Sequence, residues 1–240
     1  ALNSEVPAGN ALSVDRTLFG EYITNKIKNH PNIKVIYEEV DELKEGINII
    51  ATGPLTSENM AKRLANLLGE DFLFFYDAAA PIIEKDSINM DIAYKKSRYD
   101  QGDDSYINCP FNKEQYEAFY HELINGERAK LHEFDKVFEA CMPIEIMALR
   151  GEKTLRFGPL KPKGLEYNGV RPYAVLQLRQ DNVSGSLYNM VGFQTNLTYK
   201  EQKRIFRMIP GLENCEFVRY GLMHRNTYIQ SPDVLNRNFS

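Results

Sequence analysis

Apolar side chains along this chain recur with two periods, one near 3.6 residues and one of two. Phe19, Tyr22, Ile23 and Ile27 share a helical face, with Asp15 placed to cap the helix and Pro31 beyond its end. Residues 33–37 and 47–51 alternate as strands, the second running into Thr52, Gly53 and Pro54. Ser57 opens an amphipathic helix with Met60, Leu64, Leu67 and Leu68 on one face, and Gly69 closes it. The apolar run at 72–76 reads as a further strand. This order of elements predicts α/β material in the first part of the chain.

Periodicity fades over 77–104. It returns where Asn112 and Gln115 make a capping-box start for a helix carrying Tyr116, Phe119, Tyr120 and Leu123, closed by Gly126. Residues 173–178 and 186–193 read as two strands joined by a turn at 181–185. Thr198 and Glu201 predict a second capping box, for a helix ending near Ile209, and 217–220 is a last strand. The second part is therefore expected to be α+β with mostly antiparallel strands.

Composition narrows the class. A chain of 240 residues can bury one large core or two modest ones, and 43% apolar with 26% charged residues is the balance of a soluble globular protein. No apolar run approaches the roughly 20 residues that cross a bilayer, and the start lacks a signal-peptide pattern. Cys109, Cys141 and Cys215 are odd in number and far apart, which argues against a disulfide framework or a zinc site and for a reducing compartment. No metal and no membrane partner is expected, and the cytoplasm is the expected location. The net charge of −4 is unevenly divided: residues 141–240 hold 14 Lys and Arg against 8 Asp and Glu, a net of +6, leaving −10 for the rest. A basic half on an acidic protein suits a polyanion partner, although an uneven solvated surface has the same signature. The first residue is Ala1 rather than Met, so the chain is expected to be part of a longer protein.

Several positions could carry chemistry. Thr52 and Gly53 end a predicted strand, where glycine lets a backbone approach a bound nucleotide, but the same tripeptide also makes an ordinary turn. The partner motif G-x-G-x-x-G is absent; no two glycines are spaced even as G-x-G. Cys141 precedes Pro143 and a short helix through Met147, a helix N-terminus that favours the nucleophilic thiolate. A lone cysteine is also commonly an inert core residue. Cys109 and Cys215 lie in or beside strand-like segments and are expected in the core. Lys200, Lys203, Arg204 and Arg207 form a basic stripe opposite Ile205 and Ile209, suited to a phosphate backbone or simply solvated. His224, Arg225 and Asn226 sit in the densest polar constellation of the second half.

Longer phrases point further. They are Ala-Gly-Asn-Ala-Leu-Ser-Val-Asp-Arg at 8–16, Ala-Thr-Gly-Pro-Leu at 51–55, Tyr-Asp-Ala-Ala-Ala-Pro-Ile at 76–82 and Lys-Ser-Arg-Tyr-Asp at 96–100. Next come Cys-Met-Pro-Ile-Glu at 141–145, Arg-Pro-Tyr-Ala-Val at 171–175 and Gln-Leu-Arg-Gln-Asp at 177–181. The last are Val-Gly-Phe-Gln-Thr at 191–195 and Gly-Leu-Met-His-Arg-Asn-Thr at 221–227. In order and spacing they resemble the folate- and FAD-dependent tRNA (uracil-5-)-methyltransferases, earlier grouped with the glucose-inhibited division proteins. The likeness runs from about residue 6 to about residue 235.

The resemblance implies a Rossmann-like FAD-binding domain, in part, over 1–75 and 222–240, with a mixed, mostly antiparallel insertion domain facing RNA over 76–221. It implies a methyltransferase that uses FAD, 5,10-methylenetetrahydrofolate and NAD(P)H to methylate C5 of a uridine in the tRNA T-loop. Cys141 would add to C6 of the uracil. Thr52, Gly53, Asn196, His224, Arg225 and Asn226 would face the cofactors, and Lys200, Lys203, Arg204 and Arg207 the RNA. The family's G-x-G-x-x-G, its other important cysteine and its C-terminal FAD segment do not occur in this chain, which alone is expected to be inactive. Asn196 stands where family members commonly carry His, which bears on the folate contact or the target. An rRNA uridine, a partner-dependent modification of the tRNA wobble uridine and a non-catalytic RNA-binding module are the alternatives.

Overall fold

Asp15 accepts the Leu18 N–H at 3.0 Å and so starts helix α1 (Arg16–Lys28), after a short antiparallel pair of β1 (Glu5–Val6) and β2 (Ser13–Val14). Its second carboxylate oxygen accepts the Val183 N–H at 3.1 Å, which ties the helix start to a turn far along the chain. Ser57 likewise caps α2 (Glu58–Leu68), which ends on Gly69 in the left-handed conformation. These details belong to a computed structural model that describes residues 2–8, 12–69, 73–100, 104–129, 142–229 and 231–237, with the backbone alone at 54, 73–77, 225, 227 and 232.

The strands expected at 33–37 and 47–51 do not form; those residues take no regular structure, and Ile36, Tyr37, Ile47 and Ile49 are exposed. An alternating apolar segment becomes a strand only when a neighbour takes its backbone hydrogen bonds and a second layer covers its apolar face. Among the described residues no strand pairs with either segment.

The remaining strands are β3 (Leu73–Ala78), β4 (Ile82–Glu84), β5 (Tyr94–Lys95) and β6 (Tyr106–Phe111). Helices α3 (Lys113–Asn125), α4 (Ile144–Ala148) and α5 (Thr154–Phe157) follow, then β7 (Ala174–Gln180), β8 (Leu187–Met190) and α6 (Tyr199–Phe206). The chain continues through β9 (Phe217–Arg219), β10 (Met223–Tyr228) and α7 (Ser231–Val234). The described residues fall into two compact units. The larger is built from Ala1–Ile33, Ala78–Lys130 and Met142–Leu222, the smaller from Lys34–Asp77 and Met223–Ser240.

The larger unit holds a six-stranded antiparallel sheet in the order β5-β6-β7-β8-β4-β9. Register places Ile107 opposite Leu178, Cys109 opposite Leu176 and Phe111 opposite Ala174, all buried on one face. Against them pack Tyr116, Phe119 and Leu123 of α3, Ile144 and Ala148 of α4, and Ile205 and Phe206 of α6. On the opposite face Asn108 pairs with Gln177, whose Nε2 donates to Asn108 Oδ1 at 3.1 Å while Arg98 donates to Gln177 Oε1 at 2.9 Å. Cys109 and Cys215 are free thiols in the core, and burial pushes both pKa values up, that of Cys215 to about 11. In the smaller unit β3 pairs with β10. No helix among the described residues is long and apolar enough to cross a membrane.

The capping box at Asn112 and Gln115 forms in both directions. At α6 only one half forms. Thr198 accepts the Glu201 N–H at 3.4 Å, but the Glu201 carboxylate accepts from Arg204 at 3.0 and 2.7 Å. A guanidinium offers two charge-assisted bonds where the cap offers one neutral one.

Candidate active site

The Cys-Met-Pro-Ile-Glu phrase enters the core. Cys141 itself lies outside the described residues; Met142 and Pro143 after it are buried and lead into the five-residue helix α4. The Ile144 N–H donates to the Gln194 carbonyl at 2.7 Å, which brings this phrase against the Gln-Thr-Asn segment. Glu145 then places its carboxylate, with no solvent exposure, between two donors: Thr195 Oγ1 at 2.8 Å and the Asn196 N–H at 2.8 Å. Burial raises the Glu145 pKa, opposed by those hydrogen bonds and by the charge of Arg128.

The network continues from there. Thr195 Oγ1 accepts the Leu197 N–H at 3.1 Å, and Asn196 donates its Nδ2 to the Ala129 carbonyl at 3.0 Å. Gln202 donates to the carbonyls of Leu197 at 2.7 Å and Gly221 at 2.9 Å, and accepts the Gly221 N–H at 2.7 Å. Gly221 is required by space. A Cβ there would meet Thr195 Cγ2 at 2.5 Å and the Ala79 carbonyl oxygen at 2.8 Å. Three of the phrases singled out in the sequence, at 141–145, 191–195 and 221–227, thus meet through one buried polar network. Asn196 belongs to it and is buried, its amide held by Ala129.

The smaller unit gathers the other expected cofactor residues. Gly53 takes a left-handed φ of 67° at the start of a 3-10 turn over Gly53–Leu55, and the Thr52 and Thr56 hydroxyls hydrogen-bond at 2.7 Å. This turn lies against β10, the strand that carries His224, Arg225 and Asn226. Asn226 is 3% exposed, and its Oδ1 is buried with no hydrogen-bond partner among the described residues. A buried acceptor left so costs about 1–3 kcal/mol unless a ligand supplies a donor.

The basic stripe divides. Arg204 is held by Glu122 at 2.5 Å and Glu201 at 2.7 Å, and Arg207 donates to the Cys215 carbonyl at 2.8 Å and reaches Glu216 at 3.3 Å. Lys200 and Lys203 stand exposed. Glu145, Thr195 and Gln202 escaped assignment from the sequence. The available signal was an acid inside the apolar run Ile-Glu-Ile-Met-Ala at 144–148. Among the described residues no cluster of three His, Cys, Asp or Glu could hold a metal ion.

Fold and site together define an α/β chain whose larger unit packs helices on a six-stranded antiparallel sheet. The structure of Aquifex aeolicus GidA in its form I crystal matches 91% of this chain and 43% of its own with a TM-score of 0.58 at 13% identity, a likeness of fold. The family model described as "Glucose inhibited division protein A" matches residues 1–240, and the chain belongs to that family. It is 62% identical over 240 residues to the "Methylenetetrahydrofolate--tRNA-(uracil-5-)-methyltransferase TrmFO" of Listeria monocytogenes serotype 4b (strain F2365), covering 98% of this chain and 55% of that protein. The protein of the same name from Lactobacillus helveticus (strain DPC 4571) is 60% identical over 241 residues, 98% of this chain and 59% of its own length. The chain thus spans little more than half the length of these curated relatives.

Proposed function

We propose that the protein is a methylenetetrahydrofolate- and FAD-dependent RNA uridine C5-methyltransferase acting on tRNA in the cytoplasm. The observation that carries this reading is the 62% identity, across nearly the whole chain, to a protein named as a methylenetetrahydrofolate--tRNA-(uracil-5-)-methyltransferase. An unactivated uracil is a poor carbon nucleophile at C5; addition of the Cys141 thiolate at C6 makes it one, and loss of the C5 proton later releases the thiolate. When bound, FAD supplies the one-carbon unit taken from methylenetetrahydrofolate, with NAD(P)H as reductant. The residues fit such a group: the Gly53 turn admits a nucleotide close to the backbone, and Asn226 Oδ1 awaits a donor. Thr52 and His224 complete that wall, while Asn196, buried and held by Glu145 and Ala129, shapes the segment behind the folate rather than touching it. Of residues 1–75 and 222–240, those of the smaller unit, Lys34–Asp77 and Met223–Ser240, serve the cofactor. Ala1–Ile33 belong instead to the larger unit, which serves the RNA and where Lys200 and Lys203 meet phosphates with Arg204 and Arg207 behind them.

The test is methyl transfer from labelled methylenetetrahydrofolate to a tRNA transcript by the full-length protein. Cys141→Ser should abolish transfer while leaving flavin absorbance unchanged. Full activity in that variant, or transfer only from S-adenosylmethionine, would overturn the proposal.

A further inference from the structure

None of the residues discussed under the candidate active site lines the large cleft of the larger unit. It lies between the end of β6, the start of α3 and the 156–173 segment, with a volume of about 970 Å³. That is the upper end of the roughly 300–1,000 Å³ usual for ligand sites. One wall is aromatic. Tyr167 stacks on Tyr94 with ring centroids 4.3 Å apart and planes 9° from parallel. Tyr94 is buried while Tyr167 is 47% exposed, so the ring face away from Tyr94 is the open one. The turn at Asn168 and Gly169 presents that ring, closed by reciprocal backbone hydrogen bonds of 3.0 and 2.9 Å between Tyr167 and Val170.

The rim is basic. Lys113, Arg156 and Arg171 line the cleft, and no Asp or Glu does. Arg156 lies 3.5 Å over the Tyr173 ring, donates Nε to the Tyr173 carbonyl at 2.9 Å, and makes no ion pair among the described residues. Lys113 reaches Glu117 at 3.5 Å and Arg171 reaches Glu166 at 3.9 Å, exposed pairs of the weak kind that phosphate displaces. An open aromatic face beside three cations matches one chemistry, an unpaired nucleotide with its base on the ring and its phosphate among the cations. A duplex offers no free base face, and a simple anion would leave Tyr167 unused.

We propose that this cleft is an RNA subsite that takes one unpaired nucleotide of the substrate, separate from the uridine that is methylated. The proposal rests on the RNA-methyltransferase reading. The test is binding of a labelled tRNA transcript to the full-length protein by fluorescence anisotropy across a salt series. Tyr167→Ala should weaken binding about ten-fold or more through lost stacking, whereas Tyr167→Phe should bind as wild type. The exposed double change Lys113→Ala with Arg171→Ala should lower the slope of log affinity against log salt by about two, and it carries the test if Tyr167→Ala unfolds. Wild-type binding with unchanged affinity and slope in these variants overturns the subsite and leaves the methyltransferase reading standing. No RNA binding by the wild type overturns both.

Discussion

Glu145 keeps a carboxyl group in the core, where the Thr195 hydroxyl and the Asn196 N–H are its partners. Truncation to Ala leaves two buried donors without an acceptor. We expect Glu145→Ala to cost about 2–5 kcal/mol in urea denaturation, and Glu145→Gln about 1 kcal/mol or less. An Ala variant as stable as wild type would sink the positioning role. The pH dependence has a definite sign. Burial raises the folded pKa, so the folded state holds the proton more tightly than the unfolded one. The stabilisation is complete below the ordinary value of 4.5 and is lost as pH rises through the raised folded value. The stability of wild type relative to Glu145→Gln should therefore fall as pH climbs above 4.5. At this scale the sequence was readable where a residue acts on near neighbours, as Asp15 and Ser57 do in capping. Glu145 acts on partners about fifty positions away, and no local pattern reveals them.

Elements succeed or fail by whether a partner arrives. The helices starting at Asp15, Ser57, Asn112 and Thr198 form as their caps predict, because a helix satisfies most of its own backbone. The segments at 33–37 and 47–51 carry an equally clear strand pattern and form none, since a strand's hydrogen bonds must come from elsewhere. The α6 stripe reads as four free cations, yet α3 and the 215–216 turn supply carboxylates and a carbonyl that occupy two of them. Close packing of elements also sets the tolerance of Gly221, wedged between Thr195 and Ala79. Gly221→Ala should cost about 1–3 kcal/mol by overpacking, read as a lowered urea midpoint. An unchanged midpoint would mean that the 78–79 and 195–196 segments yield without cost.

Across the molecule the two units differ in how well they bury their apolar residues. The larger has a continuous core around α3 and the sheet. The smaller exposes Val35, Ile36, Tyr37, Val40, Ile47, Ile49, Ile50, Leu55 and Leu67, with Ile47 at 97% and Ile49 at 86%. Apolar side chains exposed in this way are accessible to hydrophobic dyes. The 240-residue chain by itself should bind a hydrophobic dye strongly, and Ile47→Lys with Ile49→Lys should reduce the dye fluorescence. Weak dye binding by the unmodified chain would show that these side chains find cover within it.

Local patterns determined the four helices that open at Asp15, Ser57, Asn112 and Thr198, the antiparallel pair at 173–193 and the family, because each rests on residues close in sequence or on phrases with their own spacing. The sequence also singled out Thr52, Gly53, Asn196, His224, Arg225 and Asn226, but not which of them meet. Only the tertiary structure decided that Thr52 and Gly53 lie against the strand of Asn226, that Asn196 is locked to Glu145 and Ala129, and that Tyr167 opens onto a basic cleft. It also decided that two segments patterned as strands form no strand among the described residues. The physical reason is common to all four. Helix caps act over three or four residues, whereas strand pairing, buried-charge neutralisation and cleft formation depend on groups that the fold alone brings together.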